Sequence, residues 1–145
     1  MFVKQISVFL ENKSGSLCAM TRLLGEGAID ILAISIADTQ NFGIVRLVVR
    51  SCEIDRAADL LRDNGYTVRV SGVICVGVPD RPAGLSEILT CLETENISIE
   101  YLYSFVRGAD KCALIIFRLA EPGLGLKLFE EKGVRIVTQS EVDAL

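Results

Sequence analysis

The sequence contains no histidine and no tryptophan, and only three of its 145 residues are proline. Without histidine, the chain cannot form Ser–His or Cys–His nucleophile pairs, and it lacks the usual general base near neutral pH. A zinc site would have to rely on thiolates and carboxylates alone. No cluster of the remaining reactive residue types points to catalysis. We therefore expect a protein that is not an enzyme and that has no metal site and no cofactor.

Aromatic residues make up only 6% of the chain, and the formal net charge is −4. Binding to a phosphate backbone requires a basic face, so we do not expect a nucleic acid partner. Apolar runs are short and interrupted, for example by Asp38 and Arg46, whereas a membrane span needs about 18 to 20 residues. The first residues also lack the features of a signal peptide. These absences predict no membrane partner and a cytoplasmic location.

Hydrophobic residues make up 50% of the sequence, which is typical of a globular chain with a core. Its five cysteines are scattered and form no C-x-x-C pair. Most of them fall within apolar patterns, where a thiol behaves as a small hydrophobic group. We interpret them as structural.

The sequence contains an internal repeat. Sliding the chain by 68 positions aligns its halves without a gap, and the apolar pattern stays in phase. The matched pairs include Val8 and Val76, Leu17 and Leu85, Leu24 and Leu92, and Ile31 and Ile99. We predict two domains, residues 1–71 and 72–145, with almost no linker between them.

Each repeat is predicted to fold as strand, helix, two strands, helix and strand. Ile6, Val8 and Leu10 alternate as in a half-buried strand, and turn residues fall at 39–43 and 107–110. The order βαββαβ predicts an α+β fold of two ferredoxin-like units, each an antiparallel sheet with its helices on one face. A single unit would leave half its sheet uncovered and its edge strands open, so we predict that the two form a pseudo-dimer.

The turn between the first predicted strand and helix, residues 11–17, is the strongest candidate site. A strand that turns through Asn12, Ser14 and Gly15 directly into a helix leaves several backbone N–H groups unpaired. With the positive end of the helix dipole, those donors make a site for a carboxylate. The alternative is an ordinary helix cap, a role that Asn and Ser side chains favour.

Three stretches of the sequence resemble tandem ACT domains, the small-molecule sensing modules attached to many amino-acid biosynthetic enzymes. They are VFLENKSGSL, ISIADTQNFGIVRL and VPDRPAGLSEIL. The resemblance covers essentially the whole chain and is greatest to stand-alone tandem ACT proteins. It implies that a ligand binds where two ACT units meet, with its carboxylate on the turn and its amino group on strand two.

The resemblance also implies particular ligand-binding residues. On the turn they are Asn12, Ser14, Gly15, Ser16 and Leu17, and at strand two they are Asp30, Ile31 and Ser35. Asp30 matches a common acidic partner of the ammonium group, and its alternative role is that of a solvated turn residue or cap. A second, weaker site is implied at Asp80, Ala83, Gly84 and Leu85. It is weaker because Ala83 stands in place of Gly15 and Ser98 in place of Asp30.

We therefore predict an amino-acid-binding sensor that signals allosterically through domain or subunit interfaces. Its ligand is a free amino acid, and its assembly is a homo-oligomer, most simply a dimer. One alternative is a regulatory subunit of a separate amino-acid biosynthetic enzyme. A further alternative is an acylphosphatase-like hydrolase, which needs an Arg and an Asn placed around a phosphoryl group. The first turn has no Arg, and Arg81 lacks the surrounding phosphate loop.

Overall fold

The computed structural model describes residues 1–38, 42–105 and 112–145, apart from the side chain of Asp38. In chain order the elements are β1 (Val3–Glu11), α1 (Ser16–Glu26), β2 (Ala33–Asp38), β3 (Phe42–Val48), a short 3-10 helix (Ser51–Glu53), α2 (Ile54–Asp63), β4 (Thr67–Pro79), α3 (Gly84–Thr94), β5 (Ile99–Ser104), β6 (Cys112–Leu119), α4 (Pro122–Glu131), β7 (Arg135–Val137) and α5 (Gln139–Asp143). Of the predicted turns, residues 39–41 and 107–110 lie outside the described residues.

The chain divides into two compact units. The first unit is Lys4–Gly72, and the second unit is Val73–Leu145 together with Met1–Val3. Strand β4 runs through the boundary without a break. The sequence predicted two separate strands there, meeting at Ser71 and Gly72, and this detail is wrong.

In the first unit the strand order is β2-β3-β1-β4. Strands β1 and β3 are antiparallel, with Ile6 opposite Leu47, and β2 pairs antiparallel with β3, with Ala33 opposite Val48. One core cluster joins the sheet to both helices. It includes Ile6, Val8 and Leu10 from β1, Met20 and Leu24 from α1, and Ile54, Ala57 and Leu61 from α2. The alternating strand residues and the helical spacing predicted from the sequence therefore bury the same apolar face.

The second unit repeats this arrangement with the order β7-β4-β6-β5. Strand β4 pairs antiparallel with β6, with Ile74 opposite Phe117. The core again lies between the sheet and its helices, and Phe117 meets Phe129 of α4 edge to face with 5.9 Å between ring centroids. The unit ends in α5, whose counterpart positions under the 68-residue shift, 71–75, lie in β4.

Both units have the βαββαβ order with an antiparallel sheet, so the predicted pair of ferredoxin-like units is confirmed. The helix bounds follow the repeat without deviation. A shift of 68 positions converts the bounds of α1 into those of α3, and the bounds of α2 into those of α4. The arrangement as a pseudo-dimer stays a prediction. None of the helices in the described ranges is long and apolar enough to cross a membrane.

Candidate functional site

The first turn joins the end of β1 to the start of α1. Gly15 precedes the helix in the left-handed conformation, with φ 87° and ψ −12°. Lys13 N donates to Glu11 O at 2.9 Å, and Ser16 N donates to Lys13 O at 3.2 Å. A left-handed residue followed by helical ones brings successive backbone N–H groups together, as in anion-binding concavities. Glycine reaches this conformation without steric cost.

No side chain caps α1, so the ordinary helix cap offered as an alternative is not formed. Within the described residues, the backbone N–H groups of Ser14, Gly15, Leu17 and Cys18 find no protein acceptor. The positive end of the helix dipole adds to these donors, and together they favour an anion. Helices α2, α3 and α4 also lack side-chain caps, so the uncapped start alone does not distinguish this turn.

A cleft lies beside the first turn. Its volume is about 540 Å³, within the range typical of small-molecule pockets. The cleft is lined by Phe9, Leu10, Glu11, Lys13, Ser14, Gly15, Ser16, Ala19, Gly65, Tyr66 and Thr67. Three of the predicted turn residues, Ser14, Gly15 and Ser16, therefore share a concave surface with the start of β4.

The other two predicted turn residues face a smaller cleft of about 320 Å³. Asn12 and Leu17 line it together with Ile36 of β2 and Gly43 and Val45 of β3. Ser16 lines both clefts, so the turn separates two concave surfaces of the first unit.

An ion pair lies at the rim of the larger cleft. Lys13 Nζ is 2.7 Å from Glu11 Oε2, and both side chains are mostly exposed, at 70% and 65%. The hydrogen bond and the charge of Lys13 lower the pKa of Glu11, and Glu11 raises the pKa of Lys13 by the same two effects. Because water surrounds the pair, its two partners can separate at little cost. Lys13 is thus a cation available to an anionic ligand.

Of the predicted strand-two residues, Asp30 lies away from the turn. Asp30 comes after the end of α1, whose 11 residues span about 16 Å, and its Oδ2 accepts a hydrogen bond from Arg50 Nη1 at 3.1 Å. Ile31 packs against the core, and Ser35 lies opposite Arg46 in the β2–β3 pairing. Within the unit, one α-amino acid cannot contact both the turn and Asp30. Ligand binding by Asp30, Ile31 and Ser35 stays a separate prediction.

The second turn has a similar backbone conformation, but Pro82 stands at the position of Ser14 and has no N–H to donate. Ala83 precedes α3 with φ 66°, and Gly84 N donates to Arg81 O at 3.1 Å. Asp80 and Ala83 are exposed, and Leu85 packs against the core. Gly84 is buried, and a Cβ there would overlap the carbonyl oxygen of Pro79. Binding at this second turn also stays a prediction.

Four residues of the cleft were not predicted from the sequence, namely Phe9, Gly65, Tyr66 and Thr67. They escape local motifs because about 50 positions separate the turn from the start of β4. The signal that finds them is the predicted topology, which sets the first and fourth strands side by side and antiparallel. As for metals, no group of three or more Cys, Asp and Glu residues in the described ranges could hold an ion.

Comparison with known proteins places the chain in a family. The model of the ACT domain pair matches residues 1–144. Protein BT0572 from Bacteroides thetaiotaomicron, a crystal structure, is 34% identical over 100% of this chain and 98% of its own, with a TM-score of 0.89.

More distant structures share the fold alone. The ligand-free regulatory subunit of aspartate kinase from Thermus thermophilus is 13% identical over 90% of this chain and 93% of its own, with a TM-score of 0.62. The corresponding subunit from Thermus flavus is 12% identical over 90% and 92%, with a TM-score of 0.63. No curated protein matches the chain. From the family match over residues 1–144, the chain belongs to the family of ACT domain pairs.

Proposed function

We propose that this chain is an amino-acid-binding regulatory protein whose first turn binds the carboxylate of a free amino acid. The observation that carries the proposal is a helix start with unpaired N–H groups that opens onto a cleft of about 540 Å³. Carboxylates bind to such N–H groups through charge-assisted hydrogen bonds. Lys13, at the rim of the cleft, adds a positive charge close to the same turn.

The walls of the cleft favour an apolar ligand side chain. Phe9 is 46% exposed, although aromatic side chains usually bury more of their surface, and Tyr66 is half-buried beside it in the cleft lining. Ala19 leaves room next to the helix start. These residues support the expectation of an aliphatic or aromatic amino acid.

The proposed mechanism is a population shift. A ligand that binds one conformation of the protein better than another shifts the equilibrium by its differential affinity. A homodimer is the simplest assembly that could transmit such a shift. Alternatively, the shift is transmitted to a metabolic enzyme that binds this chain. The proposed location is the cytoplasm.

A thermal-shift screen with each of the twenty common amino acids tests the proposal. Binding to the folded state raises the melting temperature by mass action, so we expect one amino acid or a small related group to do so. The matched control is the carboxamide of the same amino acid, which keeps the side chain and the ammonium group but lacks the carboxylate. We expect the amide to give no shift. An equal shift with the amide would remove the turn as the carboxylate site, and no shift with any amino acid would reject the sensor.

A regulatory subunit of a separate enzyme is the second candidate. The specific observation in its favour is the shared fold with the regulatory subunit of aspartate kinase from Thermus thermophilus, which this chain matches over 93% of that subunit. Affinity purification from the native cell, with and without the amino acid found in the screen, separates the two candidates. A stoichiometric enzyme partner supports the subunit, and a chain that elutes alone in both conditions supports the stand-alone sensor.

The hydrolase alternative is not supported by the second turn. Arg81 is the turn arginine that could hold a phosphoryl group, but its Nη2 lies 2.7 Å from Glu87 Oε2. This pairing raises the pKa of Arg81, and its guanidinium already engages a carboxylate of the chain itself. We therefore propose that the chain is not an enzyme, which an acyl phosphate hydrolysis assay checks.

A further inference from the structure

A hollow of about 260 Å³ adjoins the larger cleft. The residues that line the hollow are Ala19, Arg22, Leu23, Glu26, Asn64 and Tyr66. Two of them, Ala19 and Tyr66, line the larger cleft as well. A ligand whose carboxylate lies on the first turn can therefore extend its side chain past Ala19 and Tyr66 into the hollow.

One wall of the hollow is a single face of α1. Ala19, Arg22 and Glu26 are three and four residues apart, so they lie one above the other on the helix surface. From Ser16 to Arg22 the helix rises about 9 Å. The Arg22 side chain leans back toward the helix start, where its Nη2 is 3.6 Å from Cys18 Sγ. This direction brings the guanidinium within reach of an extended amino-acid side chain on the turn.

The other wall is held by hydrogen bonds to α2. Tyr66 N donates to Leu61 O at 3.1 Å, and Asn64 Nδ2 donates to Leu60 O at 2.8 Å. The Tyr66 side chain also packs against the core of the first unit. Tyr66 lines both cavities, whereas Asn64 lines the hollow. A ligand side chain that enters the hollow thus passes a fixed aromatic ring before it meets the amide.

The charged groups of the hollow are of opposite sign. Arg22 supplies a cation and Glu26 an anion on the same helix face. In the part of the chain that the structure describes, no ion pair or hydrogen bond engages the Glu26 carboxylate, and the contact of Arg22 is with a thiol, a weak acceptor. A charged ligand group of either sign would be attracted by one residue and repelled by the other. A neutral hydroxyl group can accept from Arg22 and donate to Glu26.

We propose that the amino acid bound at the first turn is tyrosine, with its phenol in the hollow between Arg22 and Glu26. This inference rests on the proposed function and names its ligand. Phe9 and Tyr66 supply apolar surface for the aromatic ring of the ligand, and the small side chain of Ala19 leaves room for that ring. Among the common amino acids, tyrosine alone combines an aromatic ring with a hydroxyl group.

Isothermal titration calorimetry with tyrosine and with phenylalanine tests the inference, because the two amino acids differ by the hydroxyl group alone. We expect the wild-type chain to bind tyrosine at least about fivefold more tightly than phenylalanine, as one net hydrogen bond or more would produce. In the thermal-shift screen, tyrosine should give the largest shift of the twenty.

The variant Arg22→Met locates the hydroxyl group. Methionine keeps an unbranched side chain and a high helix propensity but cannot donate a hydrogen bond. We expect R22M to bind tyrosine within about twofold of phenylalanine, with its phenylalanine affinity unchanged. The matched control is Arg62→Met on α2, because Arg62 pairs with Asp59 and is not part of the lining. R62M should keep the preference of the wild-type chain for tyrosine.

A wild-type chain that binds phenylalanine as tightly as tyrosine, or that is stabilised most by another amino acid, would overturn the inference and leave the proposed function standing. An R22M variant that keeps the full preference for tyrosine, or that loses affinity for both amino acids equally, would also overturn it. A wild-type chain that binds none of the twenty amino acids would overturn both the inference and the proposed function.

Discussion

Gly15 and Ala83 occupy equivalent positions before their helices and share the left-handed conformation, with φ of 87° and 66°. Only Ala83 carries a Cβ, and for such a residue this conformation costs roughly 1–2 kcal/mol. The second turn therefore holds a strained residue in the conformation that Gly15 adopts freely. The exchange of Gly15 for Ala83, which was one reason to predict a weaker second site, thus appears in the structure as a local energetic cost.

Exchanging these residues should change stability in opposite directions. Gly15→Ala should lower the free energy of unfolding by about 1 kcal/mol, through backbone strain alone, because no atom lies within 4 Å of the added Cβ. Ala83→Gly should raise it by up to about 1 kcal/mol, since relief of strain exceeds the added entropy of the unfolded chain. Chemical denaturation measures both changes.

Gly25→Ala is the matched control for the first of these variants. Gly25 lies inside α1, its added Cβ also meets no atom within 4 Å, and its φ is not positive. Replacing a helical glycine should raise the free energy of unfolding by about 0.5–1 kcal/mol. If G15A and G25A shift stability in the same direction, left-handed strain does not govern the first turn.

Gly84 has a different role from Gly15, although both flank a helix start. A Cβ on Gly84 would overlap the backbone carbonyl of Pro79, which cannot rotate away. Gly84→Ala should therefore cost at least about 2 kcal/mol in the free energy of unfolding. Gly123→Ala, on the first turn of α4 with no atom within 4 Å, is the control and should not destabilise. Similar decreases in the free energy of unfolding of the two variants would show that the backbone near Pro79 shifts to accommodate the added Cβ.

Much of the fold follows from the sequence because its signals are local and repeated. Apolar spacing predicts α1, α2 and α3, and the 68-residue repeat makes each unit a check on the other. The continuous strand β4 did not follow, because Ser71 and Gly72 carry turn chemistry that their backbone does not use. Whether such residues form a turn or continue a strand depends on pairing with neighbouring strands, and those strands are distant in sequence.

The candidate site likewise contains some residues that local sequence predicts and others that only the fold brings in. The turn residues Ser14 and Gly15 follow from local sequence, because a strand that ends before a helix start is a local pattern. Tyr66 enters the cleft only through the fold, and the contact between Arg81 and Glu87 likewise appears only in the structure. Geometry at this level requires coordinates, since neither contact has a spacing rule that a sequence displays.

Asp30 provides a test of the site boundary. Its ion pair with Arg50 is partly exposed, so Asp30→Asn should cost less than about 1 kcal/mol in stability. Because Asp30 lies beyond the far end of α1 from the first turn, we expect the amino acid affinity of D30N to stay within about twofold of wild type in calorimetry. A loss of tenfold or more at unchanged stability would instead support its predicted role as the ammonium partner.

The cysteines should differ sharply in reactivity. Cys18 and Cys52 are exposed, Cys91 and Cys112 are half-buried, and Cys75 is fully buried. Burial, with a smaller contribution from Glu141, raises the pKa of the Cys75 thiol to about 12, so little reactive thiolate forms near neutral pH. With iodoacetamide and peptide mass spectrometry, we expect Cys18 and Cys52 to be alkylated first and Cys75 only after unfolding. Early labelling of Cys75 in the native protein would contradict the core assignment.

The C-terminal helix α5 carries a capping box that should make stability depend on pH. Thr138 N donates to Glu141 Oε2 at 2.7 Å, and Glu141 N donates to Thr138 Oγ1 at 3.3 Å. Thr138 Oγ1 also donates to Glu141 Oε2 at 2.8 Å. The two bonds that the carboxylate accepts from Thr138, aided by the charge of Arg135, lower the pKa of Glu141 below its ordinary value of 4.5. Glu141 therefore stabilises the folded chain above that value, and the stabilisation is lost as the pH falls through the folded pKa.

We expect Glu141→Gln to lower the melting temperature at pH 7 and to have a progressively smaller effect as the pH falls below 4.5, because the wild-type carboxyl is then protonated too. Thermal unfolding of both proteins between pH 7 and pH 3 measures this. Thr138→Ala removes one of the bonded groups, so the substitution E141Q should cost less in that background. A difference between wild type and E141Q that stays constant across this pH range would show that the capping box acts through its geometry and not through the charge of Glu141.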